Sequence, residues 1–168
     1  MTDYQGNPKG FVDEVITPAL EALGLDGDLQ AATELLLGTA MQESGLVFRK
    51  QLGGGPARGL FQMEPATHDD VWANFLKFRA ALAAKVRQFL AGREVDAEEL
   101  IDNDRYAAAM ARIQYYRMGQ IVGKDPVPDA TDIAGMADYW KTYYNTAGGA
   151  GAPAQFVANW EAHHGPIA

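Results

Sequence analysis

Two carboxyl side chains, Glu43 and Glu64, stand at the two ends of a glycine-rich stretch, with amide and hydroxyl side chains close to each. Glu43-Ser44 ends an apolar run over 29–43, and Gly59-Leu60-Phe61-Gln62-Met63-Glu64-Pro65 follows after a short loop. A carboxyl at the end of an apolar helix is partly desolvated. Desolvation disfavours the charged form, so such a group keeps its proton near neutral pH and can serve as a general acid. Facing a loop whose glycine lets a sugar chain approach the backbone, it is the minimum equipment for breaking a glycosidic bond. The competing reading of Glu43 is a solvated carboxylate at a helix C-terminus, where the macrodipole disfavours negative charge.

The neighbouring residues extend this chemistry. Gly59 allows close approach, and the Gln62 amide offers a donor and an acceptor to sugar hydroxyl or N-acetyl groups. Ser44 is placed to hydrogen-bond Glu43 or a nearby backbone group, or simply to end the helix. Tyr144 and Asn145 follow much later in the chain, a phenol able to orient an acid and an amide able to hold a sugar. Glu64 is either a base that holds and deprotonates water, which needs carboxyls ~6.5 to 9.5 Å apart, or a first-turn residue beside Pro65. Asp69 and Asp70 are alternative second carboxylates, though on a first turn they suit the helix dipole. His68, His163 and His164 lack zinc-site spacing, so no metal or other cofactor is expected.

Helices must position these groups. Apolar spacing predicts helices over 10–23, closed by Gly24, and 29–43, capped by Asp28 and apolar around much of its circumference. Three consecutive glycines and Pro56 make 50–58 a loop or small hairpin. Further helices are expected from Pro65 to Gly92 in one or two pieces, over 96–100 and over 104–118, with Gly119 and Gly123 as stops. Pro126 and Pro128 mark a connection, and helices over 131–144 and 154–163 flank a Gly148-Gly149-Ala150-Gly151 turn.

Composition narrows the function class. With 168 residues, of which 48% are hydrophobic, one core can form without disulfides or metals, and there is no cysteine to supply either. Net charge is −8, from 14 basic against 22 acidic residues, which argues against a nucleic-acid partner. No stretch approaches the ~20 apolar residues of a membrane span, and residues 1–9 have neither the basic start nor the apolar core of a secretory signal.

Glu43-Ser44, then Ala57-Arg58-Gly59-Leu60-Phe61-Gln62 with Pro65 and Thr67, then Tyr144-Asn145-Thr146-Ala147-Gly148-Gly149 with Trp160 beyond, resemble the three signature blocks of soluble lytic transglycosylases and goose-type lysozymes, in that family's order. The likeness covers roughly 29–160. It implies a mainly α, lysozyme-like single domain over 1–168 with a small loop or β-hairpin region near residues 47–58. It also implies a muramidase acting on the β-1,4 bond between N-acetylmuramic acid and N-acetylglucosamine, with Glu43 as general acid. Peptidoglycan glycan strands are then the partner. A phage setting is implied too, in lysis or entry, with the protein in the host cytoplasm before lysis or on the particle and acting in the periplasm or cell wall.

Two departures matter. Glu64 stands where the transglycosylases often have an apolar residue and the goose-type lysozymes an acidic one, so hydrolysis and intramolecular transfer both stay open. Thr146 intervenes where the family runs from Asn directly to Ala-Gly. With the acidic charge, that departure supports an alternative, a non-catalytic virion or wall-binding protein that keeps a saccharide groove.

Overall fold

The computed structural model describes residues 2–122, 127–145 and 149–164, with the backbone alone at 121 and 122. It is mainly helical, as the apolar spacing predicts. The first predicted helix forms as α1 (Pro8–Phe11), a π-helical turn (Val12–Ile16) and α2 (Thr17–Leu23), closed by left-handed Gly24. Pro18 explains the widened turn. It has no N–H to give the Glu14 carbonyl one turn back, and the Arg105 Nε donates to that carbonyl instead at 2.8 Å.

Helix α3 (Leu29–Ser44) begins at Asp28, whose Oδ1 accepts from the Ala31 N–H at 3.0 Å. Leu35, Leu36 and Leu37 are all buried, so neighbours cover this helix on every side. Left-handed Gly45 ends it immediately beyond the Glu43-Ser44 pair. Helices α4 (Pro65–Asn74) and α5 (Ala80–Arg87) are separated by a 3-10 turn at Leu76–Phe78, so the expected long segment does break in two. The break falls at Phe75, whose φ of −131 leaves the helical range.

Helix α6 (Glu99–Asp102) leads into α7 (Asp104–Val122), which runs straight through Gly119, so that glycine is no stop. Gly123 and Pro126 lie outside the described residues. Helix α8 (Ile133–Trp140) continues into a second π-turn (Lys141–Asn145), and α9 (Pro153–His164) packs on α3. Gly38 permits that packing, because a Cβ there would lie 2.3 Å from Phe156 Cζ.

Between α3 and α4, the region near 47–58 is a loop held by isolated antiparallel bridges, Lys50 to Arg58 and Arg58 to Met63. No strand forms among the described residues. The buried apolar side chains of all these elements make one cluster. No helix among the described residues is long and apolar enough to cross a membrane.

Candidate active site

The cleft between the end of α3, the 48–64 loop and the second π-turn encloses about 450 Å³ and is lined by Glu43, Gln62, Glu64, Tyr144 and Asn145 among others. Five residues singled out from sequence therefore meet in one place. Glu43 sits in the last turn of α3, and its Oε1 accepts a hydrogen bond from Trp140 Nε1 at 2.9 Å. The Asn145 amide also acts on this carboxyl, lowering its pKa as a facing N–H does. Burial dominates the electrostatics and lifts Glu43 to about pKa 7, against opposing contributions from Trp140, Asn145 and the Lys141 charge. The carboxyl is therefore about half protonated at neutral pH, as a general acid requires.

The second π-turn explains how one short segment reaches this carboxyl twice. Bonding from i to i+5 widens the turn, so Trp140 and Asn145, five positions apart, both face Glu43. Regular α spacing would instead set Tyr144 over Trp140. The sequence reading gives the Tyr144 hydroxyl the part of orienting Glu43. The structure corrects this. Tyr144 Oη donates to the Phe61 carbonyl at 2.8 Å, while its ring stacks on Tyr115 with centroids 5.2 Å apart. Tyr144 thus ties the Gly59–Gln62 turn to the helices, and the side chain that donates to the Glu43 carboxyl is Trp140, itself fully buried in the core.

Gln62 closes that turn at φ 48, a left-handed conformation uncommon for a residue with a Cβ. Its Nε2 donates to the Gly59 carbonyl at 2.9 Å. The Oε1 has no hydrogen-bond partner among the described residues, which suits an acceptor for a ligand N–H or O–H. Glu64 is exposed at the cleft rim, as N-cap residue of α4 with no side-chain capping bond. Phe48 and Leu52 add exposed apolar surface to the same cleft. Neither was anticipated, since a glycine-rich loop gives no period from which to read exposure.

Two sequence-predicted residues are not at the cleft surface. Gly59 is buried at φ 74, and a Cβ there would lie 2.0 Å from the Leu100 carbonyl oxygen. The close approach inferred for this glycine is real, but the partner is the backbone of α6 rather than sugar. Ser44 is buried as well. Its hydroxyl lies 3.0 Å from the Ala40 carbonyl and 2.6 Å from the Leu60 carbonyl, and it accepts from the Leu46 N–H at 3.2 Å. Of its three sequence readings, the backbone partner is the one realised.

The alternative carboxylates are engaged elsewhere. Asp70 pairs with Arg117, and Asp69 accepts from the His68 ring at 2.8 Å. His68 is itself buried against the Tyr106 hydroxyl at 2.7 Å, where Trp72 Nε1 also donates at 2.9 Å. Trp160 bonds Glu34 at 3.1 Å rather than any cleft residue. Thr146, Ala147 and Gly148 lie outside the described residues. A larger depression of about 930 Å³ between the N-terminal segment and α6–α7 carries several carboxylates, but Arg93 holds Glu99 there below its ordinary pKa, the opposite of what an acid needs. No protein-family model, curated protein or solved structure matches the chain.

Proposed function

We propose that this protein cleaves peptidoglycan glycan strands at the β-1,4 bond between N-acetylmuramic acid and N-acetylglucosamine, with Glu43 protonating the departing glycosidic oxygen. One observation carries the reading: the Glu43 carboxyl is half-buried, held near pKa 7 and opens on a cleft that also presents Gln62, Glu64 and Asn145. The ordered sequence blocks that resemble lytic transglycosylases and goose-type lysozymes supply the substrate class. They also supply the setting, a phage enzyme for lysis or entry.

Glu64 favours hydrolysis over intramolecular transfer. An unengaged carboxyl on the cleft rim can hold and deprotonate water on the face of the sugar opposite Glu43. Glu43 then gives its proton to the leaving oxygen as the water attacks the anomeric carbon, and the configuration inverts. The transfer route needs only Glu43, which gives its proton to the leaving oxygen and then takes one from the sugar's own 6-hydroxyl as that oxygen attacks the anomeric carbon.

The test is turbidity loss from purified cell walls. The unmodified protein is expected to clear them, and Glu43→Gln to clear them at least about 10²-fold more slowly. Saccharide binding that survives in a protein that never clears walls would support the non-catalytic alternative instead.

A further inference from the structure

A donor-only group settles which way the Asn145 amide points. Lys141 Nζ lies 2.7 Å from Asn145 Oδ1, 2.9 Å from the Gly149 carbonyl and 3.0 Å from the Gly151 carbonyl. An ammonium carries three N–H bonds and no lone pair, so this one is fully engaged and the amide atom facing it is the oxygen. That leaves the Asn145 N–H to meet Glu43, beside the N–H of Trp140. The 149–151 loop is packed to match. A Cβ on Gly149 would lie 2.6 Å from Asn145 Oδ1, and one on Gly151 would lie 3.0 Å from Trp140 Cη2.

We propose that Lys141 is the positioning residue of this site, its ammonium fixing the flip of the Asn145 amide and the 149–151 loop so that an N–H, not a carbonyl oxygen, faces Glu43. The flip has a chemical consequence, which rests on reading Glu43 as the reacting acid. An amide oxygen turned toward protonated Glu43 would accept its proton and keep it from the substrate, whereas an N–H leaves the acid free to donate outward. The other titratable groups around Glu43 are Glu64 on the cleft rim and the phenols of Tyr115 on α7 and Tyr144 on the π-turn. Within that set Lys141 is the cation, and its charge acts on Glu43 in the same direction as the N–H.

The test is a ¹³C NMR titration of the Glu43 side-chain carboxyl, assigned by its loss in Glu43→Gln. The midpoint is expected to rise by about one pH unit or more in Lys141→Met, and by less when Asn145→Ala is already present, because part of the effect passes through the amide. An unchanged midpoint, or the same rise with and without Asn145, overturns the proposal. Should Lys141→Met fail to fold, Lys141→Arg keeps the charge but replaces a compact ammonium by a planar fork that cannot meet the same convergent acceptors. Its midpoint is also expected to rise, and an unmoved one refutes the positioning role. The readout needs no turnover, so a protein that leaves walls intact yet shows these shifts would refute the proposed function and keep the clamp.

Discussion

Replacing Glu43 by Gln is expected to make the protein more stable in alkaline solution, because the same burial that prepares the acid is a burden on the fold. The carboxyl titrates at its ordinary value of 4.5 when unfolded and at about 7 when folded. Below the unfolded value both states hold the proton and the group contributes nothing to pH dependence. Between the two values the folded state keeps a proton that the unfolded state has lost, so stability declines as pH rises. Above the folded value the decline levels off. A shift from 4.5 to about 7 corresponds to roughly 3 kcal/mol, at about 1.4 kcal/mol per unit. In a domain of this size that is about 6 to 12 °C in Tm.

Urea denaturation of both proteins from about pH 4 to about pH 8.5 would read this directly as the difference between them. Any constant offset from the altered contacts of the Gln amide with Trp140 and Asn145 cancels, and the other titrating groups are common to both proteins. A stability difference that is flat across the range would refute the reasoning, since it would mean that Glu43 is not desolvated in the folded state.

Three further outcomes follow from the geometry. Gly59→Ala should destabilise by on the order of 3 kcal/mol or more in urea denaturation, because it adds left-handed strain to a Cβ 2.0 Å from the Leu100 carbonyl. Gly38→Ala should also destabilise, by about 1 to 3 kcal/mol from crowding against Phe156, although alanine is the better helix former by about 1 kcal/mol. Trp140→Phe removes a donor that holds the Glu43 pKa down, so the alkaline limb of wall clearing should move to higher pH in a pH–rate profile.

The cleft residues were legible where the residue type announces its chemistry. Glu43, Gln62, Glu64 and Asn145 are polar groups beside apolar helix ends or glycine turns, and the fold brings them to one cavity. Trp140 and Lys141 were not legible, because an α period was assumed across 131–144 and a π-turn changes which residues share a face. Nothing in Lys141–Asn145 marks that widening, whereas Pro18 did mark the one at Val12–Ile16 and could have been used. Gly59 shows another limit, for a glycine signals that something approaches closely without saying what. Gly119 shows the reverse case, in which helix packing overrides a weak local preference.

The most direct test of Glu43 as the acid is mass spectrometry of fragments released from purified peptidoglycan by the unmodified protein, by Glu43→Gln and by Glu64→Gln. The unmodified protein should release disaccharide muropeptides with reducing ends, Glu43→Gln should release none, and Glu64→Gln should lose the reducing-end products. Muropeptides released equally by Glu43→Gln, or glycan strands left intact by the unmodified protein, would contradict the account.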